Sequence, residues 1–119
     1  AFWINVNDFT SPARQNPFEQ AYGGWGTMTL ETSGSISWFF GSNGGNAQPY
    51  SNYPSGNTMI ANNEWIHVVG VRDSADNSYT WYKNGGYFRE GNYDSSYPVI
   101  ATRTFTIGDG YVNPINGLI

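Results

Sequence analysis

The chain has 119 residues, enough for one domain, and only 12% of them are charged. Its net charge of −4 argues against binding nucleic acid, because a phosphate backbone needs a basic footprint. The absence of cysteine excludes disulfides and thiolate metal sites, and no run approaches the ~18–20 apolar residues of a membrane span.

Hydrophobic residues make up 39% of the chain and aromatic residues 18%, so a packed core requires buried rings. The polar surface is left to Asn, Ser, Thr, Gly and Tyr, with a single lysine, Lys83. Such a surface is neutral and rich in hydrogen-bonding groups, as in adhesive β-proteins and antibody loops. There is no Asn-x-Ser/Thr sequon, which leans toward a prokaryotic or phage source.

From the N-terminus, Phe2–Asn7 reads as a strand, with Phe2, Ile4 and Val6 alternating with Trp3, Asn5 and Asn7. Two prolines make Asp8–Pro17 a loop. Phe18–Tyr22 reads as a short strand ended by Gly23-Gly24. Thr27–Thr32 and Ser35–Phe40 form a hairpin about Ser33-Gly34, with Met28 and Leu30 inward on the first strand and Thr27, Thr29 and Glu31 outward. Gly41–Asn57 reads as a long structureless loop, a length that often carries function. Met59 and Ile60 read as a short strand.

The central hairpin is the strongest local signal. In Glu64–Arg72, Trp65, His67, Val69 and Val71 share one face and Ile66, Val68, Gly70 and Arg72 the other. Both faces carry apolar residues, which predicts a strand covered on both sides. Asp73–Ser78 is a polar turn, Tyr79–Lys83 the returning strand, and Asn84-Gly85 a type I′ turn into Gly86–Glu90. Gly91–Pro98 and Asp109–Pro114 read as loops. Arg103–Gly108 reads as a strand with Phe105 and Ile107 inward, and Asn116–Ile119 begins another. Short strands with Gly/Asn/Pro turns and no helical period define an all-β sandwich.

Four segments in this order resemble the laminin G-like branch of the concanavalin A-like lectin/glucanase superfamily. They are Ala1-Phe2-Trp3-Ile4, Asn63-Glu64-Trp65-Ile66-His67-Val68-Val69, Trp81-Tyr82-Lys83-Asn84-Gly85, and Phe105-Thr106-Ile107-Gly108 with Ile115-Asn116-Gly117-Leu118-Ile119. The resemblance covers essentially the whole chain and implies a jelly-roll sandwich of two antiparallel sheets. It also implies a strand before Ala1 and another after Ile119. Residues 1–119 are therefore expected to be one module within a larger domain or chain. The missing edge would be supplied by flanking residues or by another chain through strand addition.

Glycosidases of that superfamily use paired carboxylates on one strand, about 5 Å apart for a retaining mechanism. No Glu-x-Asp-x-x-Glu run occurs, and Glu31 and Glu64 are solitary, so no enzymatic activity is expected. His67, the only histidine, reads as a structural residue, since no partner is evident to orient it. Asp73, Asp76, Asn77 and Asp109 offer oxygen ligands for calcium. They fall short of the about six to eight oxygens calcium prefers, and turn chemistry explains them as well.

Trp3, Trp38, Trp65 and Trp81 are assigned to the core by alternation. Trp25, Tyr50, Tyr53, Tyr93, Tyr97 and Tyr111 lie in or beside polar loops and form the candidate ligand site, where rings stack on a sugar and Asn or Asp side chains reach its hydroxyls. The function expected is non-catalytic recognition of a glycan outside a cell or on a virion. The alternative is a structural module contacting neighbouring protein subunits.

Overall fold

The computed structural model describes residues 1–20, 26–40, 51–93, 104–110 and 112–119. Ten strands run β1 Phe2–Val6, β2 Gln15–Glu19, β3 Thr27–Leu30, β4 Ile36–Phe40, β5 Ser51–Pro54, β6 Trp65–Asp73, β7 Ser78–Lys83, β8 Gly86–Asn92, β9 Thr106–Ile107 and β10 Gly117–Leu118. No helix occurs among the described residues. The strands form two five-stranded sheets, in the orders β10-β1-β6-β7-β8 (sheet I) and β5-β4-β3-β2-β9 (sheet II). Every pairing within them is antiparallel. This is the expected jelly-roll sandwich.

Sheet I is built around β6, which pairs β1 from Phe2↔Val68 to Asn5↔Trp65 and β7 from Val68↔Lys83 to Asp73↔Ser78. The Asn84-Gly85 turn has φ values of 50° and 81°, the left-handed pair that a two-residue type I′ connection needs. β1 lies beside β10, but their register covers only Asn5 and Val6. β9 is equally short and pairs β2 at Phe18 and Glu19.

The core lies between the sheets. Ile4, Val6, Ile66, Val68 and Trp81 come from sheet I, and Leu30, Ile36 and Tyr53 from sheet II, all essentially without solvent exposure. The Trp38 ring is half-buried and meets Tyr53 and Trp81 edge-on, at centroid separations of 5.3 and 6.2 Å. Gly70 makes this possible, because a Cβ there would press on the indoles of both Trp81 and Trp38. The Trp81 Nε1–H donates to the Tyr53 carbonyl across the layers at 3.1 Å, inside the protein.

Several expectations are corrected. Ser51–Pro54 lies inside the stretch read as structureless, yet forms β5, paired with β4 from Ser37↔Pro54 to Phe40↔Ser51. Met59 and Ile60 are fully buried but form no strand. Their backbone N–H groups both donate to the Gly34 carbonyl, which ties them to the β3–β4 turn instead of a ladder. Gly34 sits at φ +76, and a Cβ would strike Thr58 and the Ile60 backbone. Thr27 and Thr29 lie on the face opposite Met28 and Leu30, as alternation requires, yet are buried. Phe105 and Ile107 are 50% and 63% exposed and do not belong to the buried core.

The segment before β3 is held by buried carboxamides. Gln15 Nε2 donates to the Asp8 carbonyl, and its Oε1 accepts from the Asn116 N–H. Asn16 Nδ2 donates to the Met28 carbonyl, and its Oδ1 accepts from the Val112 N–H. Both side chains are buried and fully engaged, as buried amides must be. Arg14 forks onto Glu31, with Nε–Oε2 at 2.9 Å and Nη2–Oε1 at 3.1 Å.

Trp81→Phe should cost about 1–3 kcal/mol through the lost buried hydrogen bond to the Tyr53 carbonyl and the space left by the smaller ring. Trp65→Phe should stay within about 0.5 kcal/mol of wild type. Urea unfolding followed by circular dichroism distinguishes the two, and equal losses would contradict the inward and outward assignment of these indoles.

Candidate functional site: an aromatic platform on the outer face

Alternation in β1 and β6 turns Ile4, Val6, Ile66 and Val68 inward, and so turns Trp3, Asn5, Trp65 and His67 outward. Trp3 and Trp65 are 55% and 49% exposed. Their expected place in the core is therefore corrected. The apolar alternative face of each strand is filled by aliphatic residues, and the second sheet covers that face alone. Trp38 is half-buried and Trp81 wholly buried.

Register brings the outward rings together. Trp3 lies directly opposite His67, with ring centroids 4.9 Å apart and planes inclined by 34°. Trp65 lies opposite Asn5, diagonal to Trp3. Trp3, Trp65, His67, Asn84 and Gly85 line an open depression of about 490 Å³. The β7–β8 turn is fixed against it: the His67 N–H donates to Asn84 Oδ1 at 2.8 Å, and the Asn84 N–H returns to the His67 carbonyl at 2.9 Å. Among the described residues Asn84 Nδ2 has no hydrogen-bond partner, while its Oδ1 is engaged. His67 thus has a structural backbone and a ring that completes the platform. The sequence signal for this site was present in Trp3, Trp65 and His67, but the two indoles were read as core and His67 as a structural residue.

The tyrosines expected to bind ligand divide. Trp25, Tyr50, Tyr97 and Tyr111 lie outside the described residues. Tyr53 is fully buried, stacked on Tyr79 at 5.1 Å and 25°, and has no open face for a sugar. The Gly/Asn/Ser residues around it suggested a loop, but pairing with β4 draws it under the opposite sheet. Tyr93 is half-buried beside Tyr53, with centroids 5.0 Å apart. The Arg72 guanidinium carbon lies 4.4 Å from the Phe40 centroid and 4.3 Å from that of Tyr93, and Arg72 Nε donates to the Tyr53 hydroxyl. Desolvation pushes the Tyr93 phenol above its ordinary pKa, against the pull of Arg72. Its hydroxyl donates to the Asp73 carbonyl. This cluster joins the ends of the sheets as packing, each cation–π contact being worth about 0.5–2 kcal/mol.

The three aspartates considered for calcium serve turns. Asp73 accepts from the Ala75 N–H, Asp76 from the Ser78 N–H and Asp109 from the Gly110 N–H. The first two sit in the β6–β7 turn of sheet I, and Asp109 follows β9 of sheet II. No group of three or more His, Cys, Asp or Glu placed to hold a metal occurs among the described residues. A second depression, of about 270 Å³, opens between the sheets and is lined by Phe2, Phe18, Met28, Trp38 and Phe105. Among its described lining residues the Trp38 indole is the one polar side-chain group, which suits it poorly to a hydroxylated ligand. No helix among the described residues is long and apolar enough to cross a membrane.

Two facing five-stranded antiparallel sheets with exposed rings on one outer face define a jelly-roll β-sandwich carrying an aromatic platform. The chain belongs to the concanavalin A-like lectin/glucanase superfamily, whose laminin G-type model matches residues 1–119. Comparison with curated proteins finds no match. Among solved structures, it is similar to the CBM40 of the Ruminococcus gnavus IT-sialidase bound to α2,3 sialyllactose. The TM-score is 0.61 at 13% identity, over 97% of this chain and 68% of that one. The same CBM40 without the ligand gives 0.57 at 11%, covering 97% and 66%. Bound to α2,6 sialyllactose it gives 0.57 at 13%, covering 97% and 69%. At these identities the likeness is one of fold.

Replacing Trp3 and Trp65 together by Phe should remove much of the acrylamide-quenchable tryptophan fluorescence. Trp81→Phe should leave the quenchable part intact. Unchanged quenching in the double variant would place these two indoles inside the protein.

Proposed function

We propose that this domain is a non-catalytic carbohydrate-binding module, which acts outside the cell or on a particle surface as one unit of a longer chain. The observation that carries the proposal is the pair of half-exposed indoles, Trp3 and Trp65, set about His67 on the sheet beside Asn84, whose Oδ1 is held by the His67 N–H and whose Nδ2 has no partner among the described residues. The face of an aromatic ring stacks on the C–H face of a pyranose, and a carboxamide donates to hydroxyls; convergent groups of this kind are what orient a ligand. Placement on strands holds them with little conformational entropy to lose.

Two further findings support the reading. The similar CBM40 structures include two bound to sialyllactose, which makes a glycan the first ligand class to test. The described carboxylates are largely committed elsewhere, Glu31 to Arg14 and Asp73, Asp76 and Asp109 to backbone amides, which favours binding without hydrolysis. Calcium is not needed for this mode of binding.

The same exposed rings favour a second reading, an interface with another protein subunit, since contiguous apolar surface marks binding sites of either kind. A glycan array followed by titration calorimetry separates them. Binding should appear on the array and weaken at least about tenfold in Trp65→Ala, equivalent to ~1.4 kcal/mol, with melting temperature unchanged. An array without hits, together with concentration-dependent self-association lost in Trp65→Ala, would establish the subunit interface instead.

A further inference from the structure

We infer that the outer face of sheet I takes a neutral polysaccharide lying flat across several strands, and not a single acidic sugar at a chain end. The inference rests on the carbohydrate-binding reading and specifies its ligand.

The platform does not stop at the two indoles. Register places Val69 opposite Tyr82, and Tyr82 opposite Tyr87. Directly opposed residues share a face, so Tyr82 and Tyr87 stand on the face of Trp3 and His67, two residues further along β6 beside Val69, and the four rings form an oblique row across β1, β6, β7 and β8. Tyr82 and Tyr87 meet edge-on at 6.5 Å, and Tyr87 is 62% exposed. At a strand spacing of ~4.8 Å the row spans roughly 14 Å. That length exceeds one pyranose and suits an extended chain crossing the strands. Because the rings stand on a sheet face and the depression beside them is open, the surface is a shelf, not a socket for a chain end.

Charge decides the chemical class. The row itself carries Trp, His and Tyr with the Asn84 amide at its edge. The acidic outward residues of the sheet, Asp73 and Glu90, lie toward the other end of the hairpins, near the Asp73↔Ser78 and Thr80↔Glu90 pairs. By alternation Lys83, opposite the buried Val68, and Arg89, opposite the buried Trp81, fall on the inner side of their strands. The whole chain bears −4. Among the described residues no lysine or arginine stands on this face to offset the desolvation of a carboxylate or sulfate, whereas uncharged hydroxylated chains meet rings and an amide. The cation nearest an aromatic box, Arg72, faces inward between the sheets and is occupied by Phe40, Tyr93 and Tyr53.

The test is depletion of the protein from solution by insoluble cellulose, chitin, xylan and starch, with calorimetry against lactose and sialyllactose in parallel. At least one neutral polymer should deplete the wild type, with little change between low and high salt. Trp3→Ala should weaken that binding at least about tenfold. Tyr82→Ala and Tyr87→Ser should weaken it severalfold, while leaving any lactose binding unchanged. Tyr87→Ser touches a residue too exposed to matter for folding, so its loss reports on binding. Binding to sialyllactose alone, or polymer binding indifferent to both tyrosines, overturns this inference and leaves the module a carbohydrate binder. Failure on all polymers and on both oligosaccharides overturns it together with the reading on which it rests.

Discussion

Tyr53 is fastened to sheet I at both ends, and the rest of the molecule depends on that bridge. Its backbone carbonyl accepts the Trp81 indole N–H, and its hydroxyl accepts from Arg72 Nε. It belongs to β5, which among the described residues is the edge strand of sheet II. The bridge therefore ties this edge strand to the opposite sheet through both its backbone and its side chain. Gly70 is its counterpart, since a Cβ there would press to 3.0 Å on the Trp81 indole, which would have to shift by a few tenths of an ångström.

With the inner volume filled by Trp81, Tyr53 and aliphatic residues, the remaining rings of sheet I have to face outward. A chain so poor in charge would ordinarily cover such a face with lysine and glutamate. Here β1 and β6 present indoles, and β7 and β8 present phenols, on neighbouring strands of one sheet, of which β6 and β7 are paired on both sides. The result is a rigid surface whose features are flat rings and small amides. That is a recognition surface for ligands that also offer flat apolar faces edged with hydroxyls. The rim, where recognition was expected, contributes Arg72 and Tyr93 to packing instead.

Local signals in the sequence were reliable where the physics is local. Asn84-Gly85 demands positive φ at both positions, and the hairpin around it follows. Alternation grouped Ile4 with Val6 and Trp3 with Asn5 correctly. What alternation cannot supply is which of two apolar faces the other sheet will cover, and so Trp3 and Trp65 were assigned inward. Tyr53 was misplaced for a related reason: Ser, Asn and Pro around it are loop residues, and only pairing with β4 makes them a strand. The roles of Gln15 and Asn16 were invisible because the amide groups they serve, at Val112 and Asn116, lie about a hundred positions away. The site was legible as a set of residue types, but its location on the sheet depended on contacts between distant strands.

Those two carboxamides have a further consequence. Residues 112–118 are attached to β2 and to the loop before it by Asn16, Gln15, Asn113 and Asn116, with only a two-residue ladder on β1. Detaching this strip breaks hydrogen bonds and draws on the core only through Ile115, which packs at its margin. It therefore forms a cooperative unit of its own, able to peel away and reseat while the two sheets remain closed. Slow amide exchange would accordingly be confined to β3, β4, β6 and β7, with the C-terminal strip exchanging through a separate and cheaper opening.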